Sequence, residues 1–95
     1  MPIGHQAKRA LVSFAIEQSL LEVGGAVMLD KANIMLYKEY NSSIPDCYDH
    51  PDYLNKVLKK ILGNSHKDIV ESIKKQLEEF VYHEDISKFI QKIVE

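Results

Sequence analysis

The segment 44–53 concentrates the side chains of this chain that could do chemistry. It holds one thiol, Cys47, one imidazole, His50, and three aspartates. Cys47 and His50 are separated by two residues, as in many zinc sites, and Asp46 or Asp52 could add an oxygen ligand. Structural zinc takes four ligands, mostly Cys and His in two pairs, and the sequence offers no second pair. We therefore expect neither a metal site nor a cofactor.

Nucleophilic catalysis at Cys47 would need a general base and an oxyanion hole. His50 is close in sequence, but no third group can be assigned to orient it. A lone cysteine beside the apolar Ile44 and Tyr48 is more often a small core residue. Asp49 is predicted to be the N-cap of the helix that follows. These interpretations favour a protein that is not an enzyme.

The rest of the chain carries few chemical signals. The other histidines, His5, His66 and His83, fall near the terminus or at helix ends, where they are interpreted as solvated or capping. No glycine-rich phosphate loop is present. The chain has 12 basic and 14 acidic residues, for a net charge of −2, and the two signs are intermixed. Nucleic acid is therefore an unlikely partner.

Length and composition indicate one soluble domain, spanning residues 1–95. The hydrophobic share of 45% is typical of a globular protein. One cysteine cannot form an internal disulfide, which favours a cytoplasmic location. We expect no stretch to approach the ~20 consecutive apolar residues of a membrane span. The N-terminal segment does not resemble a signal peptide.

Glycine, proline and small polar residues divide the chain into helical blocks. No segment shows sustained period-two alternation, so no strand is expected. The predicted fold is all-α, a compact bundle of four to five short helices without a sheet. The predicted helices cover about 5–23, 26–41, 50–62, 66–83 and 86–94. Gly24 is predicted to cap the first helix and Ser65 to open the fourth, and the last two blocks are either one kinked helix or two.

Helical periodicity also predicts the core. The expected core residues are Leu11, Phe14, Leu21, Leu29, Leu36, Leu54, Leu58, Ile61, Ile69, Ile73, Leu77 and Phe80.

The first helix has a second apolar stripe opposite Phe14, and two apolar residues lie on the polar side of the second helix. We interpret these residues as a candidate interaction surface: Val12, Ile16, Leu20, Val23, Val27 and Ile34. Covering both sides of the first helix predicts a homodimer, or binding to another protein. The alternative is a first helix enclosed at the centre of the bundle.

Several short runs carry a family resemblance. They are LLEVG at 20–24, LYKEY at 36–40, IPD at 44–46, Tyr53-Leu54 with Leu58, and ILG at 61–63 followed by Ile69 and IKKQL at 73–77. Over residues 11–80 the chain resembles the small archaeal Nitrosopumilus-type output domain. That family occurs at the C-terminal end of some archaeal two-component regulators and as free-standing proteins.

The resemblance implies a helical signalling-output or protein-interaction module without known catalysis, and it supplies no functional residue. The predicted function is therefore non-enzymatic interaction with self-association. The alternative is a small DNA-associated transcriptional regulator.

Overall fold

The computed structural model describes residues 4–94, in which all regular structure is helical. The α-helices are α1 (His5–Tyr40), α2 (Pro51–Leu62), α3 (His66–Gln76) and α4 (Glu84–Val94). Short 3-10 turns lie at Ile44–Tyr48, Gly63–Ser65 and Glu78–Phe80. No strand occurs in this part of the chain, so the all-α prediction is confirmed.

The first two predicted helices form one long helix, α1, that bends sharply at Gly25. A straight helix of 36 residues would be about 54 Å long, whereas the longest dimension of the molecule is 36 Å. Gly25 has φ 71° and ψ −170°, a conformation that is essentially restricted to glycine. We call residues 5–24 the N-arm and residues 26–40 the C-arm.

The two arms meet at an acute angle. Arg9 Nε donates a hydrogen bond to the Pro45 carbonyl at 3.0 Å, which ties the end of the loop after the C-arm to the first turns of the N-arm. If the arms were perpendicular, Arg9 and Tyr40 would be about 33 Å apart. Five extended residues span at most about 18 Å, so even with the length of one arginine side chain the loop would not reach. The C-arm therefore runs back toward the start of the N-arm.

The predicted role of Gly24 as a helix cap is wrong, because the non-helical residue is Gly25. Gly24 stays helical, and a Cβ atom placed there would lie 2.5 Å from the Cβ of Met28. The first glycine of the pair is thus required by close packing at the bend, and the second by its backbone conformation.

The predicted fourth helix is too long, because α3 ends at Gln76 and α4 begins at Glu84. The last two blocks are therefore separate helices joined by a 3-10 turn. This break lets the apolar stripes of α3 and α4 both face one core, with Ile73 and Ile86 fully buried. Ser65 is the N-cap residue of α3, so the prediction that it opens this helix is confirmed, although its side chain makes no capping bond.

Most of the predicted core is correct outside the N-arm. Leu36, Leu54, Leu58, Ile69, Ile73 and Leu77 are fully buried. Leu11, Leu29, Ile61 and Phe80 are half-buried at its edge.

The N-arm faces the opposite way from the prediction. Phe14 is 59% exposed and Leu21 is 39% exposed, whereas Val12, Ile16 and Leu20 are fully buried. The N-arm lies against α3, through a hydrogen bond from Gln76 to Ser19, and against the loop after the C-arm, through the bond from Arg9 to the Pro45 carbonyl.

We expected no segment as apolar as a membrane span. This expectation is wrong, because the helix continues past the two glycines. By length and composition alone α1 could cross a membrane, with an 18-residue window of mean hydropathy 1.3 near the N-terminus. One such helix is weak evidence, because core helices and signal sequences pass the same test. Here Val12, Ile16 and Leu20 already place one apolar side of α1 in the core.

Candidate interaction surface

The thiol of Cys47 lies in the core and not in a reactive site. Its side chain is fully buried, and Sγ lies 3.9 Å from the Ser43 carbonyl, to which it donates. Burial, reinforced by the negative charges of Asp46 and Asp52, raises the pKa of Cys47 to about 12. Because a nucleophile or metal ligand must be the thiolate, this environment opposes both roles. The interpretation of Cys47 as a small core residue is confirmed.

His50 is directed away from any shared site with the thiol. Its exposed ring stacks on Tyr53, with centroids 4.5 Å apart and an interplanar angle of 13°. Tyr53 in turn stacks on Tyr40 at 4.2 Å and 5°. The three rings hold the start of α2 against the end of the C-arm, which is a structural role.

The aspartates of the loop fasten it in place. Asp46 accepts hydrogen bonds from the backbone N–H of Ser43 at 2.9 Å and from its hydroxyl at 3.2 Å, forming a capping box. It also pairs with the Arg9 guanidinium. These bonds, led by the one from the Ser43 backbone, hold the pKa of Asp46 below its ordinary value.

Asp49 does not cap α2, so that prediction is wrong. The N-cap residue is His50, which makes no side-chain capping bond. The Asp49 carboxylate instead lies 3.7 Å from Arg9 Nε and 3.4 Å from His5 Nε2. These two partners on the N-arm draw the carboxylate away from the helix it was expected to cap.

No group of three or more His, Cys, Asp or Glu residues in residues 4–94 could hold a metal ion. A wide groove lies beside the bend, where Glu22 and Val23 face α3 and the turn after it. Its charged residues are of both signs, and Ser72 donates to Glu22 at 3.4 Å. This groove has no arrangement that suggests a reaction.

The outward side of the N-arm carries an apolar stripe. Ala7, Ala10, Phe14 and Leu21 are all exposed, and they lie opposite the buried Ile16. An open groove runs beside the stripe, between Phe14 and Pro45 of the loop. This is more apolar surface than a single exposed residue would create.

Two polar groups in this groove lack partners. The Ser13 side chain is nine-tenths buried, and its hydroxyl makes no hydrogen bond among the described residues. Glu17 lines the same groove, is half-buried and has no ion-pair partner in residues 4–94. Arg9 is the cation of the groove, and it is already engaged by Asp46.

The outward side of the C-arm is also apolar at its centre. Val27 is 67% exposed and Ile34 is 52% exposed, with Lys31 and Lys38 exposed between and beyond them. Neither lysine forms an ion pair within the part of the chain that the structure describes. The two arms thus present apolar stripes that differ in charge.

The sequence-predicted surface is therefore divided by the structure. Val12, Ile16 and Leu20 are fully buried within one copy, so their assignment to an interaction surface is wrong. Val23, Val27 and Ile34 are exposed. Phe14 and Leu21 replace the buried members, and sequence reasoning missed them because periodicity identifies two opposite stripes without saying which one the other helices cover.

Comparisons of the chain with protein-family models, with curated proteins and with solved structures gave no match.

Proposed function

We propose that this chain is a non-enzymatic protein-interaction module that self-associates through the outward side of α1. The observation that carries the proposal is the concentration of exposed apolar side chains on one helix. Six of the nine large hydrophobic residues that are exposed in residues 4–94 belong to α1. Large exposed apolar patches are typical of protein-protein or membrane contact sites.

The environment of the reactive residue types supports a non-enzymatic role. Cys47 is buried as a thiol with a raised pKa, and Asp46 and Asp49 are engaged by Arg9. Each of these groups already contributes to holding the loop on α1. This structural role is enough to explain why these reactive residue types occur in the loop.

The resemblance to the archaeal output domain supports a cytoplasmic signalling-output role for such a module. In that role, self-association would turn a change in concentration or in a partner's state into a change in assembly. The proposal needs no bound cofactor, because its chemistry is apolar contact together with charge pairing.

The DNA-associated alternative has weaker support. A groove between α2 and α4 is lined by Lys56, Lys59 and Lys92, but Asp49 and Asp52 line it as well. Mixed charges give little net attraction to a phosphate backbone.

The molar mass in solution tests the proposal. Light scattering at micromolar concentration should give twice the chain mass of 10.9 kDa. Phe14→Glu should shift the mass toward one chain, because it places a charge in the exposed stripe without entering the core. Circular dichroism should show that the variant keeps its helices.

Val94→Glu is the matched control, since Val94 is exposed at 53% on a different helix. It should leave the mass unchanged. A wild-type mass of one chain at every concentration would contradict the proposal.

A further inference from the structure

Five residues on the outward side of the N-arm follow the three-four spacing of a coiled-coil seam. Ala7, Ala10, Phe14, Glu17 and Leu21 recur at intervals of three, four, three and four residues, and we call this set the N-seam. Such spacing places side chains in one line along a helix, where each can enter a gap in a facing helix. The two alanines leave space for a close approach.

The C-arm carries a second seam of the same spacing. Val27, Lys31, Ile34 and Lys38 recur at intervals of four, three and four residues, and we call this set the C-seam. All four are exposed. The N-seam therefore includes one carboxylate without an ion-pair partner, and the C-seam includes two such ammonium groups, within the described residues.

The charges discriminate among the ways in which two copies could meet. Contact between two C-seams would bring four lysines together, which costs free energy by like-charge repulsion. Parallel contact between two N-seams would place Glu17 against Glu17. Antiparallel contact centred on Phe14 would set Glu17 opposite Ala10 and bury the carboxylate without a partner, which is costly.

Contact between an N-seam and a C-seam brings opposite charges together instead. Glu17 of one copy then faces one of the two lysines, Lys31 or Lys38, of the other, and apolar residues meet beside this pair. The long side chain of the second lysine can extend its ammonium group past the contact into water. The groove between Phe14 and Pro45 can receive the Ile34 side chain of the second copy. This pairing combines apolar burial with complementary charge.

We propose that the N-seam of one copy docks against the C-seam of a second copy, with Glu17 paired to Lys31 or Lys38 across the contact. The inference rests on the self-association proposed above and specifies the partner surfaces. Because the arms fold back acutely at Gly25, both seams start beside one bend, at Leu21 and Val27. The closed form of this pairing is a two-fold dimer, in which the N-seam of each copy meets the C-seam of the other.

Charge reversal tests the pairing. The first variant is Glu17→Lys, and the second carries Lys31→Glu together with Lys38→Glu. Each variant alone places like charges across both contacts, so its dimer dissociation constant should rise by roughly tenfold or more. Analytical ultracentrifugation over a range of protein concentrations measures this change.

Mixing the two variants gives the sharper result. In a heterodimer, Lys introduced at position 17 faces the two introduced glutamates, while the native Glu17 of the second variant faces the native lysines of the first. Both contacts become attractive, so an equimolar mixture should dimerise about as tightly as the wild type. A merely structural role for these exposed residues would not give this recovery.

Control variants elsewhere on the surface test whether the position of a charge change, and not the net charge alone, determines its effect on dimerisation. Glu79→Lys repeats the charge change of the first variant, and Lys67→Glu with Lys75→Glu repeats that of the second. All three control positions are exposed outside α1. The control variants should dimerise as the wild type does, and all variants should keep the helical circular dichroism spectrum.

The outcomes separate the two proposals. If the wild type is a dimer and the variant with Lys31→Glu and Lys38→Glu has the same molar mass, the seam pairing is overturned but self-association is not. A wild type that stays monomeric overturns both. A monomer that binds vesicles of anionic phospholipid would overturn both as well, and would assign the apolar and lysine-bearing side of α1 to a lipid surface.

Discussion

Cys47 illustrates how the interior controls the chemistry of a single residue. The thiol is fully buried, and its pKa is raised to about 12, mainly because burial disfavours the charged thiolate. Reagents that need the thiolate can therefore react with Cys47 only when the fold opens.

We predict that native Cys47 resists Ellman's reagent at about pH 8, where an ordinary exposed thiol reacts readily. Labelling should proceed at the rate of unfolding and become immediate in concentrated guanidinium chloride. Asn64→Cys, which adds a thiol at an exposed turn position, should bind one equivalent at once. Immediate labelling of Cys47 in protein with a native circular dichroism spectrum would refute the assignment.

Asp46 makes stability depend on pH. Its pKa is lowered chiefly by the hydrogen bond from the Ser43 backbone. A carboxyl group with a lower pKa in the folded state stabilises the fold above its unfolded-state pKa. That contribution disappears as the pH falls through the folded-state pKa.

Asp46→Ala should therefore lower the free energy of unfolding by about 0.5–2 kcal/mol near neutral pH, the range for loss of a capping side chain. The difference from wild type should shrink below about pH 4, where the unfolded-state carboxyl protonates. Urea denaturation at several pH values measures it. Asp30→Ala, at an exposed position, is the control, and an equal loss for Asp46→Ala at all pH values would contradict the mechanism.

The capping box was open to prediction from the sequence, whereas the ion pairs around it were not. Ser43 followed three residues later by Asp46 is a short local pattern of the capping type. The link from Asp46 to Arg9 joins residues far apart in sequence, and no periodicity encodes it. Asp49 was assigned to the nearest helix because local rules could not include its distant partners.

At the scale of the elements, single-faced helices were the easiest to predict. In α2, Leu54 and Leu58 recur at helical spacing between exposed lysines, so one face had to be buried. The N-arm has Phe14 on one side and Ile16 on the other, and the periodicity is the same for both. The bundle decides which side is buried, so a local pattern was insufficient.

The bend at Gly25 is the element-scale feature with the clearest energetic cost. An alanine there would have to adopt φ 71°, in a region that costs a side-chain-bearing residue about 1–3 kcal/mol. Gly25→Ala should lower the free energy of unfolding by that amount in urea denaturation. Gly4→Ala is the comparison variant, since Gly4 has φ −69° and open space for a Cβ atom, so it should lose only the N-cap preference for glycine over alanine, on the order of 1 kcal/mol or less. Equal stabilities for the two variants would argue against a bend fixed by Gly25.

At the scale of the whole molecule, the proposed self-association would link stability to protein concentration through the two sides of the N-arm. If only folded chains dimerise, dimer formation draws the folding equilibrium toward the native state. The thermal midpoint should then rise with protein concentration. The buried side of the arm contributes to the stability of one copy, and under the proposal the exposed side would set the dependence on concentration.

Two alanine variants on opposite sides of the N-arm, two residues apart, separate these contributions. Ile16 is fully buried, so Ile16→Ala should lower the free energy of unfolding by about 2–5 kcal/mol at every protein concentration. Phe14 is mostly exposed, so Phe14→Ala should barely change the midpoint of dilute protein and should remove its rise with concentration. Calorimetry over a wide concentration range measures both effects. A contact that forms only between folded copies must stabilise them more as their concentration increases. A thermal midpoint of the wild type that does not change with concentration would therefore contradict the proposed self-association.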